Sequence, residues 1–93
     1  MTVAYKVVDE NSFQLPQVGF TVSKSKFKHA VDRNRIKRLM RQAYRTNKTP
    51  FLNKLQEDNK ALALMFIYNK HKMPKGNEIE ISVQSLLEKL SSL

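Results

Sequence analysis

Six basic side chains recur at helical spacing between residues 33 and 45. At about 100° per residue, the apolar side chains of this segment share one face of a helix: Ile36, Leu39, Met40, Ala43 and Tyr44. The opposite face and its flanks carry the basic ones, which are Arg33, Arg35, Lys37, Arg38, Arg41 and Arg45. A planar guanidinium group donates to two phosphate oxygens at once, and an ordinary amphipathic helix does not explain a charged face without anions. The pattern therefore predicts a helix with a phosphate-binding face.

The net charge is concentrated in one quarter of the chain. The 93 residues carry 17 basic and eight acidic side chains, a formal charge of +9. Residues 24–48 hold ten of the basic side chains and one acid, Asp32, whereas the rest of the chain has seven of each. Charge of one sign in one segment favours a nucleic acid as partner over an anionic membrane or an acidic protein. Asn34 can read a base edge or a ribose hydroxyl, and Lys24, Lys26 and Lys28 are expected to add phosphate contacts.

The residue types that perform enzymatic chemistry are present but scattered. The acidic side chains do not cluster at a useful spacing, His29 and His71 have no evident partner, and there is no cysteine. A nuclease with its own two-metal site needs converging carboxylates, so the sequence predicts neither a catalytic residue nor a metal site in the protein itself. No apolar run reaches the roughly 18 residues of a membrane span, and no segment resembles a signal peptide. We therefore expect a cytoplasmic protein.

Hydrophobic periodicity predicts the elements that position the basic helix. Residues 3–8, 18–22 and 61–68 are predicted strands, the last buried on both faces because all its residues are apolar. The first two are expected to be antiparallel, and the crossover length predicts parallel pairing of the second and third. The basic helix is expected to run from a cap at Asp32 to about Asn47, since Pro50 favours a break or a new start before a short turn. A last helix begins at Ser82, with Asn77 as the alternative cap.

Residues 30–45 closely resemble the signature of the bacterial ribonuclease P protein component. Arg33-Asn34-Arg35 matches the Arg-Asn-Arg motif of that family, and residues 19–24 resemble the strand before it. The continuation of the family's motif helix is matched by Lys37, Arg38 and Arg41. The resemblance implies an α+β fold, with helices packed on a small mixed four-stranded sheet and a left-handed βαβ crossover. Periodicity alone predicts the usual right-handed crossover.

Two features depart from the family pattern. The connector at residues 24–29 lacks the glycine that many members have there, which leaves its local path open. Family members usually have a helix before the first strand, whereas this sequence starts almost at the predicted strand, so either its start is truncated or this member lacks the helix. We expect a single ribonuclease P protein-like domain over residues 1–93, truncated at its N-terminus.

The family is the protein subunit of an RNA-based endonuclease that removes the 5′ leader of precursor tRNA. The resemblance implies that the protein binds the catalytic RNA and the leader, while the RNA performs the cleavage with Mg²⁺ at its own active site. It implies RNA-subunit contacts from Arg33, Asn34, Arg35, Arg38 and Arg45. It implies contacts to the precursor tRNA leader from Tyr5, Lys37 and Arg41. Tyr5 occupies the matching strand position, where a ring can stack on a base; the alternative is a half-buried place in the core.

Other functions remain open from the residues alone. A ribosomal-type structural RNA-binding protein with no role in cleavage explains the charge equally well. A DNA-binding helix-turn-helix is less favoured because the basic helix follows a strand, and an independent nuclease lacks converging carboxylates. The strand at residues 61–68 is apolar on both sides and the family's first helix is absent. We therefore also expect self-association through the uncovered sheet face, or by a swap of a terminal element.

Overall fold

The computed structural model describes residues 1–92, which form an α+β fold. In chain order the elements are β1 (Thr2–Asp9), β2 (Gln17–Val22), α1 (Ala30–Glu57), β3 (Ala61–Tyr68) and α2 (Glu78–Ser91). β3 is the central strand, and β1 pairs with it in antiparallel and β2 in parallel orientation. The predicted parallel pairing across α1 is thus confirmed. β1 and β2 run in opposite directions, as predicted, but β3 lies between them.

The apolar sequence of β3 explains its central place, yet its two faces differ. On one face of β3 the side chains are buried under the helices; these are Leu62, Leu64, Phe66 and Tyr68. On the other face Met65 is 42% exposed. The prediction of a strand buried on both faces is therefore wrong for the second face, here called the open face. Met65 partly covers that face by lying across Gly19 of β2, where an added Cβ would lie 2.7 Å from the Met65 Cε atom.

Within residues 1–92 the sheet has three strands, so the four-stranded sheet implied by the resemblance is not confirmed. The segment between β1 and β2 begins with a turn in which the Asp9 carboxylate accepts from the Asn11 amide at 2.8 Å and the Ser12 hydroxyl at 2.9 Å. The segment after β3 contains Pro74, which has no ladder donor, and Gly76, whose φ is +55°. Neither segment pairs as a strand, and the hand of the crossover stays a prediction.

α1 is longer than predicted at both ends. It begins at Ala30, so Asp32 lies in its first turn, where the helix dipole favours a carboxylate, and not at the cap. The predicted break at Pro50 is wrong, because the helix continues to Glu57. Proline inside a helix costs about 3 kcal/mol, but the turns beyond it bury Phe51 and Leu55, each of which contributes about 1.5–3 kcal/mol. Packing therefore outweighs the lost hydrogen bond.

α2 begins at Glu78, directly after the alternative cap position Asn77, so the prediction of a start at Ser82 is wrong. Its buried stripe consists of Ile79, Val83, Leu87 and Leu90. The buried stripe of α1 consists of Ile36, Met40, Ala43, Phe51 and Leu55. Both stripes join the buried side chains of β3 in one core, so both helices cover the same face of the sheet. Across residues 1–92, neither helix is long and apolar enough to cross a membrane.

Candidate nucleic-acid interface

The two faces predicted for α1 are confirmed. Ile36 and Met40 are fully buried, and the polar side chains of the opposite face lie in solvent. We call these side chains the ridge: Asn34, Arg35, Arg38, Arg41 and Arg45, which are exposed, and Lys37, which is partly exposed. The two ion pairs within residues 1–92 lie elsewhere, at Lys54–Asp58 and Lys70–Glu78. The cationic charges of the ridge are therefore not neutralised by the described part of the protein.

An aromatic ring of the sheet holds Arg41. Its guanidinium carbon lies 5.7 Å from the centroid of the Phe20 ring, within the range of a cation–π contact. Phe20 is itself packed, with ring centroids 5.7 Å from Phe66 in a stacked arrangement and 6.3 Å from Tyr44 in an edge arrangement. Burial raises the pKa of Tyr44, so its phenol stays neutral at physiological pH. Arg41 thus lies beside the edge strand β2.

Arg33 has a different environment from the ridge. Its Nη1 atom donates to the backbone carbonyls of Phe27 at 2.8 Å and Lys28 at 2.9 Å. This side chain is therefore engaged with the connector between β2 and α1, whereas the family resemblance implies that it contacts the RNA subunit. No local sequence pattern signals such a bond, because its acceptors are main-chain atoms whose position depends on the path of the connector.

The connector itself is ordered by its backbone and by one buried ring. The amides of Lys26 and Phe27 both donate to the carbonyl of Ser23, at 3.3 and 3.1 Å. Phe27 is buried, and its ring centroid lies 5.9 Å from that of Tyr68. Within residues 1–92 a positive φ occurs at Asn59 and Gly76 and not in the connector. The path therefore does not require the glycine that the family pattern places there.

Lysines outside the predicted site residues lie on a second loop, residues 69–77, next to the connector. β2 and β3 are parallel and Val22 lies beside Tyr68, so the loops that follow these strands emerge at the same edge of the sheet. The Lys26 ammonium donates to the carbonyl of Asn69 across the two loops. The second loop exposes Lys70, Lys72 and Lys75. The charge count along the sequence did not point to these lysines, because acids outside residues 24–48 balance them. The predicted parallel pairing of the second and third strands was nevertheless a signal that the loops after them lie together.

We call the exposed basic side chains of these loops the two-loop surface: Lys24, Lys28, His29, Lys70, His71, Lys72 and Lys75. A groove of about 610 Å³ runs along the second loop. Glu78 borders it, and accepts from the Lys70 ammonium at 2.6 Å and the Lys75 amide at 3.3 Å. These bonds, that from Lys70 foremost, lower the pKa of Glu78. Burial and the neighbouring Lys70 lower the pKa of the Met1 amino group, which also lies near this surface.

Tyr5 lies on the helix-covered face of the sheet, because it pairs with Leu64 of β3 and directly opposite residues share a face. It is 49% exposed and lies outside the buried core cluster, which leaves ring surface for stacking. Two strand spacings and two residues separate it from Phe20, so their Cα atoms are roughly 12 Å apart. Tyr5 of β1 and Phe20 of β2, the ring under Arg41, therefore lie on the same sheet face at its two opposite edges.

The described side chains do not form a metal centre. Within residues 1–92, no three His, Asp or Glu side chains come close enough together to hold an ion. His29 and His71 are both exposed on the two-loop surface. The arrangement can therefore bind phosphates through Arg and Lys donors, and it can stack a base on Tyr5.

Comparisons with known proteins match nearly the whole chain. The family model described as Ribonuclease P matches residues 1–91. The Ribonuclease P protein component of Porphyromonas gingivalis strain W83 is 31% identical over 91 residues, which are 98% of this chain and 66% of that protein. The protein of the same name from Chlorobaculum tepidum is 37% identical over 82 residues, 82% of this chain and 53% of that protein. The chain thus spans less than two thirds of the length of these relatives. No solved structure matches it.

Proposed function

This chain belongs to the ribonuclease P protein family, and from that premise we propose that it serves as the protein subunit of ribonuclease P. In this role it binds the catalytic RNA and the 5′ leader of precursor tRNA and assists removal of the leader. The ridge carries the proposal, because its cationic side chains have no acidic partner within residues 1–92 and it continues the Arg-Asn-Arg motif at residues 33–35. Precursor tRNA is made in the bacterial cytoplasm, where we expect the protein to act.

The two sides of α1 support a division between two RNA partners. Arg41 lies against Phe20 of β2, and Lys37 precedes it by one helical turn. Both therefore approach the sheet face that carries Tyr5, and we assign these residues to the leader. The RNA subunit is assigned to the ridge residues turned further from the sheet: Asn34, Arg35, Arg38 and Arg45. Arg33, which the resemblance also assigns to the RNA subunit, donates instead to the connector carbonyls. Additional phosphate contacts are assigned to Lys24, Lys26 and Lys28.

Binding and orientation are the protein's contribution to this reaction. Mg²⁺ at the active site of the RNA supplies the Lewis acid and the activated water of phosphodiester hydrolysis. The described side chains do not fit a metal site, so no metal step is assigned to the protein. Its cations reduce the repulsion between two polyanions and release their counterions on binding. Holding the leader on the holoenzyme also raises the effective concentration of the scissile bond at the RNA active site.

Reconstitution with a bacterial ribonuclease P RNA tests the proposal. Precursor tRNA with a 5′ leader is incubated with the RNA alone and with RNA plus protein, at an Mg²⁺ concentration where the RNA alone is slow. We expect the protein to accelerate leader removal and to bind precursor tRNA more tightly than mature tRNA. The double variant Arg38→Gln with Arg41→Gln removes two exposed charges, and we expect it to lose most of the acceleration.

Two outcomes contradict the proposal. Tight RNA binding with equal cleavage rates in the presence and absence of protein favours the ribosomal-type structural RNA-binding alternative. Cleavage by the protein without added RNA indicates an independent nuclease. Cleavage is read in both cases from a gel of labelled precursor tRNA, and RNA binding is measured separately by filter binding.

Self-association through the open face of the sheet stays a prediction. The face carries Met65, which is 42% exposed, and a shallow depression of about 470 Å³ between the strands. Sedimentation at high salt, which screens contacts between charges, tests it. A monomer throughout the micromolar range contradicts it.

A further inference from the structure

Two donors outside the basic loops bond to backbone carbonyls within them, while Glu78 of α2 accepts from Lys70 and Lys75 at the far end of the second loop. Arg33, in the first turn of α1, donates through Nη1 to the carbonyls of Phe27 and Lys28. Tyr68, the last residue of β3, donates through its hydroxyl to the carbonyl of Lys72 at 2.8 Å. One bond set fixes the end of the connector, and the other fixes the middle of the second loop.

Tyr68 is placed to couple the two loops. Its side chain is 2% exposed, and its ring centroid lies 5.9 Å from that of Phe27 in the connector. The same side chain therefore packs against one loop and donates to the backbone of the other. Burial raises the pKa of Tyr68, so the hydroxyl keeps its proton and remains a donor. A phenylalanine would pack in this place but would not reach the Lys72 carbonyl with a donor.

Loop order matters for phosphate binding at this edge. Lysine side chains are long and flexible, so their affinity for phosphates depends on how much of the backbone beneath them is already fixed before binding. A groove of about 610 Å³ runs along residues 69–75, and Met73 is a side chain of this loop that packs against the core. The Tyr68 hydroxyl supplies the hydrogen bond that links the middle of this loop to the sheet.

We propose that Arg33 and Tyr68 are positioning residues that hold the connector and the second loop together as one phosphate-binding surface. The inference rests on the proposed function, because the phosphates are those of RNA. It changes the role of Arg33, which acts through the connector carbonyls and not as a contact to the RNA subunit. The phosphates belong either to the leader or to the RNA subunit, and the binding assays below separate these two sources.

Tyr68→Phe is the sharpest variant, because it removes one hydroxyl and keeps the ring. We expect its melting temperature to stay close to that of the wild type, because solvent can reach the Lys72 carbonyl once the hydroxyl is gone. Amide exchange in residues 70–75 should become faster, and RNA affinity should fall about three- to tenfold. Tyr44→Phe is the comparison variant: it removes the hydroxyl of a partly buried tyrosine that packs on Phe20 and on neither loop, and it keeps that ring contact. It should leave loop exchange and RNA affinity unchanged.

Arg33→Ala tests the second positioning residue against its neighbour Arg35→Ala. Loss of a positioning residue should speed amide exchange in residues 24–29 and lower RNA affinity while the salt dependence of binding keeps its slope. Loss of a direct phosphate contact should leave exchange unchanged and reduce the log–log slope by about 0.9. We expect the first result for Arg33→Ala and the second for Arg35→Ala. The second result for Arg33→Ala would overturn its positioning role.

Affinities are measured for the catalytic RNA, for precursor tRNA with a leader, and for mature tRNA. A selective loss with precursor tRNA assigns the surface to the leader, and a loss with the catalytic RNA assigns it to the RNA subunit. Wild-type protein that binds none of these RNAs contradicts the proposed function. Wild-type binding with Tyr68→Phe indistinguishable from it overturns the positioning inference alone. Faster loop exchange in Tyr68→Phe without any loss of affinity overturns it as well.

Discussion

Arg41 of α1 lies over the ring of Phe20 in β2, with 5.7 Å between the guanidinium carbon and the ring centroid. The ring stacks in turn on Phe66 of the central strand, so the cation lies against a ring that is anchored in the core of the fold. A guanidinium group stacked on a ring still donates from its edge to phosphate oxygens. This pair therefore links the buried core to the side of the ridge that we propose binds the leader.

Phe20→Leu should weaken leader binding through Arg41. An exposed cation–π contact contributes about 0.5–1 kcal/mol, so precursor tRNA affinity should fall roughly two- to fivefold. The variant also disturbs the core, so the measurement is a double-mutant cycle with Arg41→Ala. In the Arg41→Ala background, Phe20→Leu should have no further effect on affinity. Equal effects of Phe20→Leu in both backgrounds would show that the contact plays no part in binding.

Paired substitutions separate the two RNA partners. Lys37→Ala with Arg41→Ala should reduce the preference for precursor over mature tRNA, because both side chains lie toward the sheet. Arg35→Ala with Arg38→Ala should reduce affinity for the RNA subunit, and each exposed site should change the free energy of unfolding by less than about 0.5 kcal/mol. The preference for precursor over mature tRNA and the affinity for the RNA subunit are each measured with both double variants. Equal losses in all four measurements would indicate one non-specific patch.

The salt dependence of RNA binding reports the number of phosphates contacted. If about five phosphates are neutralised, the slope of log affinity against log salt concentration should be near −4. The five cationic side chains of the ridge carry this estimate. Filter binding or fluorescence anisotropy between 50 and 300 mM salt, roughly, gives the slope. A slope flatter than about −2 would show that most of the ridge does not contact phosphates.

The helical face of the ridge could be predicted from sequence because its information is local. Residues that repeat every three or four positions share a helix face whatever the rest of the fold does, and Ile36 and Met40 are buried as that rule requires. The continuation of α1 through Pro50 could not be predicted in this way. It depends on the packing of Phe51 and Leu55 in one core with α2, which begins more than twenty residues later in the chain.

The role of Arg33 and the second loop escaped sequence reasoning for a related reason. Arg33 bonds to main-chain carbonyls, which leave no trace in residue types. Lys70 and Lys72 belong to a part of the sequence with no net charge, and only the pairing of Val22 with Tyr68 brings them beside the connector. Charge counted along the chain therefore underestimates charge gathered in space.

Acid should loosen the second loop through Glu78. The hydrogen bond from Lys70, followed by that from the Lys75 amide, lowers the pKa of Glu78 below its usual value of about 4.3. Because the pKa of Glu78 is lower in the folded protein, its carboxylate stabilises the fold at pH values above the pKa of the unfolded state. This stabilisation is lost as the pH falls through the pKa of the folded state. Amide exchange in residues 70–77, corrected for its intrinsic pH dependence, should therefore show more opening below about pH 4.

Glu78→Gln and Glu80→Gln provide the comparison for this acid effect. Glu78→Gln should show the opened loop already at pH 7 and little further change in acid. Glu80 lies in the same turn of α2 and is exposed, and Glu80→Gln should follow the wild type across the whole range. Acid opening that persists unchanged in Glu78→Gln would assign the effect to another group.

Tyr5→Leu should weaken binding of precursor tRNA without unfolding the protein. The ring is 49% exposed on edge strand β1, so leucine keeps the apolar contact with the sheet but removes the stacking surface. Stacking of one base contributes about 1–3 kcal/mol, and we expect about a tenfold loss of affinity for precursor tRNA with a long leader. Tyr5→Phe keeps the stacking surface and should bind like the wild type. Mature tRNA, which has no leader, should bind Tyr5→Leu and wild type equally. A lower melting temperature with unchanged affinity for both tRNAs would instead make Tyr5 a core residue, and the leader would then depend on Lys37 and Arg41 alone.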